Sequence, residues 1–417
     1  MRNAGRVKTG SVGPWEVNSE KSGFQRRFFV DSRKLGPILA HNSSRDVHFY
    51  QSPPLCHVCE VWRQSFLTRP HLQLPAAGIL PASGMTPQKT VSMYVKCEQT
   101  VHPPTSGCAL PLGKQEHRVL LTGATGYLGS RLVARLIADG FHVVVVKRSF
   151  SDLRRIRAIV DQDLMFDADV EPLKAAFTRF GRIDSVVHCA TDYGRKQSSV
   201  PEIVEANLML PLRLLQLAEE FGARTFVNSD TFLDKRVNEY SLSKKQFLDW
   251  LKLHSSRLVC RSLRLEHFYG PGDDPTKFVG WLLSQFAAEV PEIRLTPGEQ
   301  KRDFVFIDDV VEAFVRVIQD SRNQNPGFVE FDVGSGQSVT IRTLVQELQA
   351  FFPDTPSTPI FGALPYRRAE IMDSRPDISA MLALGWRPRV SLREGLAMTV
   401  HAAFTQLTEL SSGAFPK

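Results

Sequence analysis

The chain reads as an α/β protein: a Rossmann-type doubly wound parallel sheet with a smaller mixed α/β region toward the C-terminus. Three observations predict this. From about residue 117, short apolar segments alternate with amphipathic helical ones. A glycine triplet closes the first apolar segment, and the alternation loses its regularity after about residue 271. Strands that are apolar throughout belong to a parallel sheet covered by helices on both faces.

The first strand is "RVLL". Its helix is "SRLVARLIADG", in which Leu132, Val133, Leu136 and Ile137 form one stripe and Gly140 supplies the stop. "FHVVVVKR" is the second strand, and a third lies near "DLMFDAD". A helix near 171–179 and the strand "SVVHCA" follow, then a helix over about 202–221 and the strand "TFVNSD". A helix from about 238 and the strand "RLVCRSLRL" complete the alternation. Beyond residue 271, short strands in "IRLT", "FVFI" and "VEFDVG" mix with helices near 308–320, 340–351 and 391–409. They are expected to form a cap at the carboxyl edge of the sheet. The expected organisation is an N-terminal extension over 1–114, a Rossmann-type domain over 115–270 and a smaller cap region over 271–417, with no internal repeat.

The extension is rich in Pro, Ser, Arg and His and sustains no apolar period, the composition of a disordered segment. Before residue 111 the chain holds 13 Lys and Arg against 6 Asp and Glu, out of a net charge of +7. The remainder is close to neutral, so no nucleic-acid partner is expected there. A basic, acid-poor leader fits a targeting extension; a start at Met85 or Met93 is the alternative. It contains no secretory apolar core and no run near the ~20 residues that span a bilayer. A cytoplasmic protein without membrane contact is expected. Cys56 and Cys59 have the spacing of half a zinc knuckle, but Cys97 and Cys108 are too widely spaced to complete one, and no metal is expected. Cys189 and Cys260, in apolar runs, read as small core residues.

The glycine triplet, Gly123, Gly126 and Gly129, lies in "TGATGYLG" between strand and helix. Glycines there permit a tight turn and close backbone approach to a pyrophosphate, which the helix N-terminus attracts. Gly123, Thr125, Gly126, Tyr127, Leu128 and Gly129 are the expected dinucleotide contacts; a merely structural turn is the alternative. An NAD site places an acidic residue at the end of the second strand to hold the ribose 2′-hydroxyl. Here "VVKRS" offers Lys147 and Arg148, which favour the 2′-phosphate of NADP unless they are simply solvent-facing cations; NAD stays open.

Further on, "YSLSK" sets Tyr240 and Lys244 on one helix face. Beside a nicotinamide that pair can handle a proton. A free phenol titrates near 10 and is a poor acid at neutral pH, and a neighbouring ammonium lowers it.

Taken together, "TGATGYLG", "HCATDYG", "YSLSK" and "RLEHFYGPGDD" resemble the extended short-chain dehydrogenase/reductases, the NAD-dependent epimerase/dehydratase family, over about residues 117–405. "ATDYGRKQSS", "EHFYGPGDDPTKF", "GEQKRDFVFIDDVV" and "FGALPYRRAEIM" are similar to its CDP-abequose synthase branch, whose members reduce a nucleotide-linked 4-keto-6-deoxy sugar with NADPH. The resemblance implies that Asp167 and Ala168 border the adenine and that Ala190 and Thr191 meet the cofactor. It implies that Asn207 orders the active site, unless it only kinks its helix, and that Arg302 and Arg367 bind the pyrophosphate of a nucleotide sugar. The family's third catalytic position carries Ser or Thr; here it is Asp230, so Thr231 is taken as the hydroxyl donor, with Asp230 turned elsewhere or protonated. His267 stands where the family often has Asn and is expected at the sugar or nicotinamide. A homodimer is also implied. The expected enzyme is a nucleotide-sugar reductase. The alternatives are an epimerase or dehydratase with internally recycled cofactor, or a non-catalytic NADP-binding regulator.

Overall fold

The computed structural model describes residues 117–195, 198–367 and 370–411. The extension over 1–114, with its four cysteines and proposed starts, lies outside the described residues. The strands are β1 (Arg118–Thr122), β2 (His142–Lys147), β3 (Met165–Asp167), β4 (Ser185–His188), β5 (Thr225–Thr231), β6 (Val259–Leu265), β7 (His267–Tyr269), β8 (Glu292–Leu295), β9 (Lys301–Phe306), β10 (Gly327–Val333), β11 (Ser338–Thr340) and β12 (Thr358–Phe361). The main sheet is parallel, in the order β10-β6-β5-β4-β1-β2-β3. Chain order reverses between β1 and β4, the switch point at which open α/β sheets bind ligands.

The helices are α1 (Tyr127–Ala138), α2 (Leu173–Phe180), α3 (Val200–Val204), α4 (Leu210–Glu220), α5 (Glu239–His254), α6 (Phe278–Ala287), α7 (Ile307–Ser321), α8 (Ile341–Gln349), α9 (Ser379–Ala383) and α10 (Leu392–Ser411). Both faces of the sheet are buried, which is why its strands are apolar without alternation. Leu120, Val144, Val186 and Phe226 join one cluster with Phe177, Leu214 and Phe247. Their neighbours Val119, Val143, Val187 and Val227 join the other, with Leu132, Val310 and Phe314.

Two expectations change. The helix foreseen over about 202–221 is interrupted: Glu205–Met209 forms a π-helical turn between α3 and α4. "VEFDVG" is not part of the cap, because β10 pairs in parallel with β6 from Gly327↔Val259 to Val333↔Leu265 and extends the main sheet. Residues beyond 271 also share the core cluster that holds α1, so the boundary at 271 divides neither sheet nor core. The smaller region contains a sheet β11-β9-β7 and a parallel pair β12-β8. The three-residue strands β7 and β11, like α9, are too short to show a period.

Among the described residues, no helix is long and apolar enough to cross a membrane. None of their His, Cys, Asp or Glu residues cluster in a group that could hold a metal ion. Cys189 and Cys260 are free thiols, the second buried.

Candidate active site

At the switch point, Gly123 leaves β1 with φ +76°, and a Cβ there would lie 2.5 Å from the Ala190 nitrogen at the end of β4. Only glycine fits both the backbone angle and the space. The Gly126 N–H closes the turn on the Gly123 carbonyl at 3.0 Å. A Cβ on Gly129 would come within 2.1 Å of that carbonyl oxygen, so loop and helix touch backbone to backbone. Gly126, at the N-cap of α1, supplies no side-chain cap, and the first turn holds no acidic residue. The free N–H groups and positive helix end suit a pyrophosphate, so the cradle fits a dinucleotide. Thr125, Gly126, Tyr127, Leu128 and Gly129 stand together at one helix start, and Gly123 lies against Ala190.

At the end of β2, Lys147 is ion-paired with Asp167 of β3. That removes it as a free cation and occupies the carboxylate expected beside the adenine. Arg148 is exposed, its guanidinium 4.6 Å from the centre of the Phe150 ring. Ala168, next along, donates its N–H to the Lys147 carbonyl at 2.8 Å.

The catalytic candidates are held by α5. Asn238 caps it, accepting from the Ser241 N–H at 2.9 Å, and Ser241 returns the bond in a capping box. Tyr240 thus sits in the first turn and Lys244 one turn on. Tyr240 is half-buried, and the Thr231 side chain is near enough to act on its phenol. Lys244 is 1% exposed and donates to the Ser229 carbonyl at 2.6 Å.

Electrostatics here departs from expectation. Burial, then the neighbouring Tyr193, push the Tyr240 phenol well above its ordinary value, and Thr231 pulls the other way. The chain's own groups therefore hold the phenol protonated. Burial brings Lys244 itself down to about 8, against the pull of Asp230.

Asp230 is buried, and its charge also raises the Tyr240 phenol. It pairs with Lys245 at 2.6 Å and accepts the Thr231 N–H at 2.7 Å. Asn207, wholly buried in the π-helical turn, accepts from the Asp192 N–H (2.9 Å) and donates to the Asp192 carbonyl (2.8 Å) and the Ser243 hydroxyl (3.2 Å). Ser243 in turn donates to the Tyr240 carbonyl at 2.9 Å. Asn207 therefore both marks a helix irregularity and ties the loop after β4 to α5.

Across the sheet edge, Thr231 is in register with Leu265, and two residues on, His267 begins β7. His267 is exposed, with Nδ1 3.0 Å from the Glu266 carboxylate. In β9, Phe304 pairs with His267, and Arg302 lies two residues earlier. The Arg302 guanidinium donates to the Lys301 and Ile371 carbonyls and to Glu370. Arg367 is exposed three residues before Glu370. Sequence reasoning assigned no role to Ser243, Lys245 or Tyr193, and Ser229 stood only as a neighbour of Asp230. The three-residue step from Tyr240 to Ser243 was the one available signal.

Residues 119–334 match the NAD dependent epimerase/dehydratase family. The chain is 31% identical over 289 residues to CDP-abequose synthase of Salmonella typhimurium, a match covering 67% of this chain and 95% of that protein. It is 31% identical over 324 residues to UDP-glucose 4-epimerase of Mycolicibacterium smegmatis, covering 68% and 97%. Among solved structures, UDP-glucose 4-epimerase of Thermotoga maritima with UDP-glucose superposes with a TM-score of 0.61 at 24% identity, over 70% of this chain and 99% of that one. At that identity the likeness is one of fold.

Proposed function

The chain belongs to the NAD dependent epimerase/dehydratase family of nucleotide-sugar enzymes, and within it we propose an NADP-dependent reductase of a nucleotide-linked 4-keto-6-deoxy sugar. The observation that carries this reading is the company Tyr240 keeps. Thr231 meets the phenol while Asp230 is locked to Lys245. A dehydratase needs acidic groups at the sugar to remove water, and here the adjacent carboxylate is engaged elsewhere. The identity to CDP-abequose synthase supports the same choice.

A reduced dinucleotide, when bound, would supply the hydride. The chain supplies the rest. Gly123, Thr125, Gly126, Tyr127, Leu128 and Gly129 would cradle the pyrophosphate, with Ala168, Ala190 and Thr191 along the crevice and the exposed Arg148 free to meet a 2′-phosphate. Tyr240, protonated, gives its proton to the carbonyl oxygen as negative charge develops there, with Thr231 bonding the same oxygen. Lys244 supplies positive charge beneath them, and Asn207 keeps loop and helix in place. His267, Arg302 and Arg367 face the sugar nucleotide, the guanidiniums suiting its phosphates. Arg302 would exchange the Glu370 pair for that contact.

A homodimer through α5 is proposed as well, since Leu242, Trp250 and Leu253 are exposed at 43, 43 and 69% on one side of that helix. The cytoplasm is the proposed location.

The test is incubation with NADPH and a panel of nucleotide-linked 4-keto-6-deoxy sugars, following nicotinamide absorbance and identifying products by NMR. Stoichiometric loss of NADPH with appearance of the 4-hydroxy sugar is expected. Interconversion of 4-hydroxy epimers without net loss of NADPH would establish the epimerase reading, which the identity to UDP-glucose 4-epimerase favours.

A further inference from the structure

The loop that follows β4 carries a residue to which the motifs and the family assignment give no role. Its shape is fixed. Asn207 grips both backbone groups of Asp192. The Asp192 carboxylate accepts from the Gly194 N–H and the Ser198 hydroxyl, both at 2.8 Å. Gly194 has φ +68°, and a Cβ there would lie 2.9 Å from the Ile203 side chain, so the turn closes tightly against α3. Between these anchors stands Tyr193. Its ring centre is 5.0 Å from that of Tyr240, the planes inclined at 45°, and the Arg195 guanidinium lies 5.3 Å from the Tyr193 ring centre. Tyr193 is nevertheless 40% exposed, on the rim beside the proton donor.

We propose that Tyr193 is a specificity residue: its ring forms a wall for the carbon next to the reacting carbonyl and selects a sugar bearing a methyl rather than a hydroxymethyl group there. This rests on the reductase reading above. A carbonyl oxygen that takes the Tyr240 proton lies within about 3 Å of that hydroxyl. Substituents one bond further along the sugar ring then fall within reach of the adjoining aromatic ring. A methyl group gains dispersion contact on a ring face. A hydroxymethyl group pressed there gives up water and finds no partner on the ring face. Discrimination of this kind has a ceiling, because an apolar wall rejects an added hydroxyl by at most about 100-fold.

The experiment uses the full-length enzyme with NADPH and two substrates, a CDP-linked 4-keto-6-deoxyhexose and its 6-hydroxy counterpart. Tyr193→Phe keeps the ring and should leave both KM values within about 3-fold of the parent. Tyr193→Ala should raise KM for the 6-deoxy sugar about 10-fold, as expected for a lost aromatic contact. It should change the 6-hydroxy sugar little and leave KM for NADPH unaltered, so the kcat/KM ratio between the sugars falls. A merely structural role would lower both sugars together and leave the ratio unchanged, which overturns the proposal. It is overturned equally if Tyr193→Phe behaves like Tyr193→Ala, since the hydroxyl rather than the ring would then be responsible. A parent enzyme that reduces neither sugar sinks the reductase reading and this assignment with it. A parent active on both, with the ratio unmoved in Tyr193→Ala, sinks this assignment alone.

Discussion

Around the glycine turn the contacts run between backbone atoms: the Gly126 N–H meets the Gly123 carbonyl, and Gly129 has no room for a Cβ beside it. Around Arg302 they run between side chains far apart along the chain. Glu370 pairs with Arg302 across 68 positions, and Ser374 donates to the buried Glu266 across 108. The proposed cofactor side is thus shaped by steric exclusion, which tolerates no change. The proposed substrate side is shaped by side-chain bonds and an ion pair, which can be exchanged for a ligand's charges. A cofactor common to a family suits the first kind of construction, and substrates that differ between relatives suit the second.

The hinge between the two sides is Tyr240, and breaking it should have the largest effect. Tyr240→Phe is expected to bind cofactor normally and to lose about 1,000-fold in turnover, within the range for general acid catalysis. Unchanged NADPH oxidation would remove Tyr240 from the chemistry. On the cofactor side, Gly129→Ala should weaken dinucleotide binding by about 100-fold or more, because the new methyl falls on the Gly123 carbonyl and must displace the loop. A fluorescence titration measures it. On the substrate side, Arg302→Ala should leave that titration untouched and raise KM for the sugar nucleotide by about 10- to 100-fold, the loss expected for a charge-assisted bond. If both substitutions moved the same constant, the contrast drawn above would fail.

A pH profile sharpens it further. Lys244 carries its charge below about 8 and loses it above, while Tyr240 stays protonated well past that point. The reduction rate should therefore be level below pH 8 and fall about tenfold per unit above it. A rate that rises between pH 8 and 10 would mean that a phenolate, not the ammonium, limits the step. The smallest effect belongs to Arg148. Arg148→Ala should cost NADPH about 10-fold in affinity and NADH nothing, consistent with an exposed charge; equal losses would show that it does not read the 2′-phosphate.

The same division explains what could be read without coordinates. "TGATGYLG" and "YSLSK" were legible because their geometry is local: a turn needs glycines, and a helix brings residues four apart together. The apolar strands of the main sheet were legible because both faces are buried. The membership of β10 in that sheet was not, since nothing in "VEFDVG" says which strand it will pair with. The engagement of Lys147 by Asp167 and of Asp230 by Lys245 was hidden too, because each joins different elements. Tyr193 carried no spacing signal at all. Its role depends on where Asn207 holds a loop.

The π-helical turn that carries Asn207 has a consequence for how this stretch can change length. Such a turn accommodates one residue more than regular winding, so the segments before and after it are out of phase by about 100° compared with an unbroken helix. A single deletion within 205–209 would restore regular winding without unfolding anything, yet swing the amide away from Asp192 and Ser243. Homologous sequences aligned here should tolerate exchanges of side chain far better than a gap of one.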